Sequence, residues 1–427
     1  MNIIKRKLLK EIKEHLSKKE ICLIIGPRQV GKTTLMLSLQ KYLKKRDKKT
    51  VFLNLDSEID KQFFISQQSL LKKLKLELGS KNGYVFIDEI QRKENAGIFL
   101  KGIYDMNLPY KFIVSGSGSL ELKEKIHESL TGRKRVFELN PVTFNEFVNF
   151  KTNYQYETKL ADFFSIEEDR TKSFLDEYLN FGGYPRVILE ETLIEKIQTI
   201  DEIFHSYLEK DISYLLKVKR LDAFSSLIKI LASQTGKLIN FSEISSTLGI
   251  SIQTTKNYFW YAEKTFITQR LTPYFTNIRK EITKSPIIYF YDLGLRNYAL
   301  GIFGNTNLIK DGFLFQNFIF NILKEKFHFG GSLLHFWRTK DRAEVDFIIN
   351  FGKEILPIEV KYKKIDKPTI GKSIRSFIDK YKPKEFWMVN LNFKKEIEYN
   401  KTKIKFLPFF RLLSYKLCSR NSSDGKN

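Results

Sequence analysis

An apolar run, Ile21–Ile25, ends in GPRQVGKT at residues 26–33, and a helix-compatible stretch follows from Lys32 to about Lys45. No other feature constrains the fold as tightly. The spacing G-x-x-x-x-G-K-[ST] between a strand and a helix is that of a phosphate-binding loop. Gly26 and Gly31 let backbone N–H groups close around phosphate oxygens. The N-terminus of the following helix adds positive potential. Lys32 is placed to reach the β- and γ-phosphates, and Thr33 to ligate magnesium. The expected contacts are Gly26, Pro27, Arg28, Gln29, Val30, Gly31, Lys32, Thr33 and Thr34, with ATP and Mg2+ as the ligands. A coincidental Gly-rich turn is the plain alternative, and the flanking strand and helix argue against it.

Further apolar runs at Val51–Leu55, Tyr84–Ile87 and Lys111–Val114 alternate with helical stretches. This rhythm predicts an α/β domain with a parallel sheet covered on both faces. In YVFIDEI the apolar residues deliver Asp88 and Glu89 to a strand's C-terminal end, where ligands bind in such sheets. Asp88 is expected to hold magnesium through water, and Glu89 to orient the attacking water. Ser115, ending the next strand, is a candidate γ-phosphate sensor. Arg133 in SLTGRKR is a candidate arginine finger, in cis or toward a neighbouring subunit. Arg186 in FGGYPR is a candidate phosphate contact from a helical lid.

GPRQVGKTTL, VFIDEIQ, SGSGSL and SLTGRKRVFELNPVTFNEF together resemble a large family of bacterial and archaeal AAA+-type ATP-binding proteins. GGYPR, YLEKDI at 207–212 and DGFLFQNFIFNIL at 311–323 extend the resemblance over nearly the whole chain. It implies ATP binding and hydrolysis by an N-terminal domain, followed by a C-terminal region whose role is uncharacterised and which ends in a nuclease-like fold.

Residues 222–290 have the rhythm of a winged helix: helices at DAFSSLIKILASQTG, INFSEISSTLGI (Ser242 as cap, Gly249 at its end) and SIQTTKNYFWYAEKT. The third opens with Ser251, Gln253, Thr254, Thr255, Lys256 and Asn257, types that reach base edges and phosphates. FITQRLTPYF and PIIYFYD read as strands around a basic wing, NIRKEITK. The alternative is a module of the same shape that binds protein.

In LLHFWRTKDRAEVDFIINFGKEILPIEVKY, alternation marks three strands, and Gly352–Lys353 suits a two-residue hairpin turn. In that register Phe351 faces Glu354, Asp346 faces Glu359, and Glu344 faces Lys361, all on one face. Two opposed carboxylates repel, and a divalent cation between them removes the objection. The set resembles a metal-dependent nuclease core of pattern D…E-x-K, with Asp346 and Glu359 as metal ligands and Lys361 beside them. A helix at about 366–382 and a strand at 385–391 would complete an αβββαβ layout. Gln316 stands where related cores often carry an acid, and Pro357 demands an edge, a bulge or no strand on its outer side. The alternative is a retained fold that docks DNA or protein without cutting.

The expected order is therefore a P-loop AAA+ ATPase domain at 1–150, a helical lid at 151–220, a winged-helix-like module at 221–285, a restriction-endonuclease-like α/β domain at 286–418 and a disordered tail at 419–427. The chain has 427 residues, with Lys and Arg exceeding Asp and Glu by 73 to 49, a net +24. That excess favours polyanions, DNA first among them, although surface lysines also serve only for solvation. Two cysteines support neither a disulfide framework nor a zinc site. With no signal peptide or membrane-spanning run, a cytoplasmic location and no membrane partner are expected. An arginine finger supplied in trans would require a homo-oligomer. The two functional expectations are an ATP hydrolase coupled to DNA binding or processing, and a regulatory ATPase switch acting through protein contacts.

Overall fold

The computed structural model describes residues 3–117, 130–215, 218, 220–274, 285–305, 311–327, 334–352 and 354–414. The wing at 277–284, Lys353 of the hairpin turn and the tail from Ser419 lie outside the described residues. The chain divides into two compact units. The first comprises Met1–Phe150, Gly183–Ile228 and Leu248–Ile267; the second comprises Lys151–Gly182, Lys229–Thr247 and Thr268–Asn427. The segments expected as lid and winged helix are thus shared out between the units. No helix among the described residues is long and apolar enough to cross a membrane.

The first unit is built on a five-stranded parallel sheet. Its strands are β1 (Ile21–Gly26), β2 (Thr50–Asn54), β3 (Gly83–Asp88), β4 (Tyr110–Ser117) and β5 (Lys134–Glu138), in the order β2-β3-β4-β1-β5. Four are the expected runs. Sequence reading missed β5, because KRVFE lies at an edge and deeply buries only Phe137. The helix Lys32–Lys44 packs Leu35, Met36, Leu39 and Leu43 onto β1, an amphipathic spacing. The first helix, Leu8–His15, is more than a surface element, since Ile12 is fully buried in the same cluster.

Gly26, the last residue of β1, has a steric reason. A Cβ there would lie 2.1 Å from the carbonyl oxygen of Leu139, just past β5. The Leu139 N–H donates to Ile25 O at 2.8 Å, so strand and loop close on each other at this point.

The second unit carries an eight-stranded sheet. To β6 (Thr268–Pro273) and β7 (Ile287–Phe290) it adds β8 (Leu334–Arg338), β9 (Glu344–Asn350), β10 (Ile355–Val360), β11 (Glu385–Asn390), β12 (Lys395–Tyr399) and β13 (Thr402–Pro408). The order is β12-β13-β11-β10-β9-β8-β6-β7. β6 and β7 are antiparallel as a wing requires, but β6 also pairs in parallel with β8, so the pair belongs to the large sheet. The helix Phe241–Leu248 is capped by Asn240, whose Oδ1 accepts the N–H groups of Ser242 and Glu243, and not by Ser242.

The helix Gly312–Lys326, β8, β9, β10, the helix Lys372–Tyr381 and β11 follow the expected α-β-β-β-α-β order. β9 and β10 pair with Asn350 opposite Ile355 and Phe347 opposite Ile358, the register expected from the hairpin. Pro357 fits because the β10–β11 ladder begins one residue later, at Ile358.

Candidate functional site

The C-terminal ends of β1, β3 and β4 bring the expected nucleotide residues together in the first unit. Gly31, at φ +94°, is the N-cap of Lys32–Lys44 and offers no side chain to cap the helix, leaving its first turn to an outside anion. Lys32 is 6 % exposed, and its ammonium donates to Gly26 O at 3.0 Å and Pro27 O at 2.7 Å. Thr33 Oγ1 donates to Asp88 Oδ2 at 2.6 Å. The other Asp88 oxygen accepts the Ser115 hydroxyl and the Glu89 N–H, the latter at 3.1 Å. Asp88 and Ser115 are both buried. One hydroxyl and one carboxylate suit magnesium, which keeps several of its waters and needs few protein ligands. Among the described residues no group of three or more His, Cys, Asp or Glu is placed to hold a metal ion.

Glu89 sits in the left-handed region at φ 57°, a conformation that costs a non-glycine residue energy and turns its side chain out of the strand direction. Burial raises its carboxyl above the ordinary value, against the pull of Lys32. Gln91 holds it: the Gln91 amide N–H donates to Glu89 Oε2, and Gln91 Oε1 accepts the Ser117 N–H at 3.1 Å. Gln91 thus ties the candidate base to the end of β4. Its position two residues after Glu89 was the only available signal for that role. Arg6 was also missed. Its guanidinium donates to Val30 O at 3.0 Å and to Asn140 O at 2.5 Å while pairing with Glu146, bracing the loop from the N-terminal segment. Nothing in IIKRKLL distinguishes it from the neighbouring cations.

The arginines divide. Arg186 follows Pro185, which opens the short helix Pro185–Leu189; its Nη1 donates to Gln29 Oε1 in the loop at 2.8 Å and lies 2.9 Å from Glu202. Arg133 is a correction to the cis expectation. Its carbonyl accepts the Ile21 N–H, so it lies at the start of β1, while the loop lies at the other end. Six residues of strand span about 20 Å. Its guanidinium is paired with Asp105 at 2.8 Å.

The carboxylates of the second unit form a second cluster. Asp346 accepts the Val360 N–H at 2.7 Å and the Gln316 amide at 2.5 Å. Glu359, 7 % exposed, accepts the Lys361 ammonium at 2.6 Å on Oε1, while Oε2 is buried with no hydrogen-bond partner. Burial first, and the charge of Glu359 second, push Asp346 well above the usual carboxylate range. Burial likewise raises Glu359. Burial opposes the charge on Lys361, but Glu359 outweighs it, so the ammonium titrates above the ordinary lysine value. A buried, partnerless carboxylate oxygen facing a second acid fits a divalent cation; two carboxylates with one amide already committed fit it less fully than three acids would.

On the candidate recognition helix, Ile252–Lys264, Ser251 caps the N-terminus and Gln253, Lys256 and Asn257 are exposed. Thr255 is fully buried, its hydroxyl on Ser251 O, so it reaches no outside partner.

Residues 18–148 match a family model described as AAA domain. Two further models, both described as domains of unknown function (DUF8612 and DUF4143), match residues 172–306 and 311–410. Among similar proteins is the uncharacterized protein MJ1544 of Methanocaldococcus jannaschii, 27 % identical over 401 residues, 92 % of this chain and 85 % of that protein. Another is the uncharacterized protein Rv2008c of Mycobacterium tuberculosis, 25 % identical over 380 residues, 88 % of this chain and 77 % of its own length. A third, from Haemophilus influenzae, is 26 % identical over 80 % of this chain and 82 % of that protein. Similar solved structures include the Aeropyrum pernix ORC1 protein in complex with DNA (12 % identity, 68 % of this chain, 91 % of that one, TM-score 0.30) and AMPPCP-bound DnaA from Aquifex aeolicus (17 %, 60 %, 86 %, 0.26). At those TM-scores the likeness carries no structural argument.

Proposed function

We propose that the chain binds ATP with Mg2+ at Gly26–Thr34, hydrolyses it, and couples turnover to the binding or processing of DNA. The observation that carries the first part is the net at the strand ends: Thr33 and Ser115 both bonded to Asp88, Glu89 beside them, and Lys32 buried in the loop. In this reading Thr33, and Asp88 through water, hold magnesium, which supplies positive charge against the phosphates. Glu89 takes a proton from water as the water oxygen bonds to the γ-phosphorus. The bond from that phosphorus to the bridging oxygen breaks, and ADP leaves with the electron pair. Lys32 stabilises the charge that gathers on the phosphate oxygens, and Arg186 positions the loop through Gln29. Arg133 can serve only toward a neighbouring subunit, which requires a homo-oligomer.

Glu89→Gln should retain binding of a fluorescent ATP analogue while losing hydrolysis by about 100-fold or more. Lys32→Ala should lose both. Turnover by Glu89→Gln at the wild-type rate would end the assignment.

The DNA half rests on the opposed Asp346 and Glu359 with Lys361, together with the net charge of +24. A second reading, a regulatory switch with a docking domain that does not cut, is favoured by one observation: Gln316 stands where a third acid would, and its amide is spent on Asp346. Labelled DNA incubated with Mg2+ or Mn2+, with and without ATP, separates the two. Cutting that disappears in Asp346→Ala supports processing. Binding without cutting supports docking on DNA, and no binding at low salt removes DNA from either.

A further inference from the structure

Beside Asp346 the second unit opens a cavity of about 230 Å3, lined among others by Lys237, Phe313, Gln316, Arg338, Glu344 and Asp346. Its floor is kept open by a glycine. Gly236 has φ +76°, and a Cβ there would lie 2.5 Å from the Phe313 ring and 2.7 Å from Gln316 Oε1. Gln316 is 8 % exposed. Its amide nitrogen is committed to Asp346, and its oxygen is buried with no hydrogen-bond partner.

The mouth has a different character. Phe313 is 40 % exposed, an unusual position for a large aromatic ring. The exposed Lys237 places its ammonium 5.4 Å from the centre of that ring. Arg338 is only loosely paired, 3.7 Å from Glu344, and its side chain is 35 % exposed. The cavity therefore offers an aromatic face and two cations at its rim, beside the carboxylates of Glu344 and Asp346. The ring face and the cations match a planar base attached to a phosphate.

We propose that this cavity receives an unpaired nucleotide of a nucleic-acid strand. The base lies against Phe313, and the adjoining phosphate meets Lys237 and Arg338. Lys237, on its flexible stem, yields the ring face to the base and moves onto the phosphate. The strand then passes Asp346, so the inference rests on the reading that the second unit acts on nucleic acid, and it deepens that reading by specifying a single strand. A duplex keeps both faces of its bases stacked and offers none to Phe313.

The test is fluorescence anisotropy with a short fluorescein-labelled oligonucleotide, as single-stranded DNA, single-stranded RNA and duplex DNA, with the full-length protein in EDTA to prevent cutting. Single strands should bind more tightly than duplex, and the DNA and RNA arms identify the sugar. Phe313→Ala should weaken single-strand binding by about tenfold, the scale of one lost stack. Lys237→Glu and Arg338→Glu should each lower the slope of log affinity against log salt by about one, a change that misfolding does not mimic. Lys395→Glu, the same charge change on β12 at the far side of the sheet order, should alter neither affinity nor slope. Thermal midpoints by circular dichroism confirm that the variants are folded. A wild type that binds no oligonucleotide overturns the nucleic-acid reading and the inference with it. A wild type that binds, with duplex preferred, with folded variants unaltered, or with Lys395→Glu equally impaired, overturns the cavity inference alone.

Discussion

Glu89 is held in a strained backbone conformation, and one neutral side chain, Gln91, decides where its carboxylate points. A hydrogen bond donated to a carboxylate favours its ionised form, while burial opposes it. A base must be ionised to accept a proton, so kcat/KM for ATP should fall as the pH drops through a value above that of an ordinary glutamate. Gln91→Ala removes the donor. The acid limb of the profile should move to higher pH and kcat should fall about tenfold or more, with little change in KM, since the hydrogen bonds of Gln91 go to Glu89 and Ser117. A rate loss at unchanged limb position would mean that Gln91 only supports the fold. Steady-state ATPase assays across pH 5 to 9 read both quantities.

At the scale of elements, the β9–β10 hairpin places Asp346 and Glu359 where a sheet built only for stability would not. Both carboxyls titrate above their ordinary range in the fold and hold protons that the unfolded chain has already released. Wild-type stability therefore falls as the pH rises from the ordinary carboxylate values through the raised ones. Glu359→Gln should raise the thermal midpoint at pH 8 in chelator by a few degrees, about 1 kcal/mol, and the gain should shrink toward pH 4. Added Mn2+ should stabilise the wild type and not the variant if the pair holds a cation; differential scanning calorimetry reads all three. This hairpin was legible in sequence because its information is local: a two-residue turn, with the polar–apolar alternation of Glu344–Phe347 beside it, fixes the register. The loop at Gly26–Thr33 was legible for the same reason. The edge strand β5 was not, since one deeply buried residue in five gives no run to read. Nor was the membership of β6 in the large sheet, because its partner β8 lies more than sixty residues away and nothing near Thr272 announces it. The cap at Asn240 was missed by two residues, Asn and Ser both being good caps.

At the scale of the molecule, the candidate nucleotide site is assembled from distant chain. Gly183–Ile228 belongs to the same unit as the loop, and from it Arg186 reaches Gln29 and Gly183 O accepts the Val142 N–H at 2.7 Å. A chain ended after Phe150 keeps every residue of the loop and both Asp88 and Glu89, yet should bind the fluorescent ATP analogue at least tenfold more weakly and unfold at lower temperature. Equal affinity would show that the first sheet and its helices suffice. The same threading has a consequence for heredity. Chain from the second unit interrupts the first twice, at Lys151–Gly182 and at Lys229–Thr247. No single cut in the gene yields either unit whole, so recombination cannot trade one for a new partner as it trades beads on a string. Similar proteins from an archaeon and two bacteria align over 80 % or more of this chain, as an indivisible inheritance requires. Change in either unit therefore has to arise by substitution in place, rather than by exchange of parts.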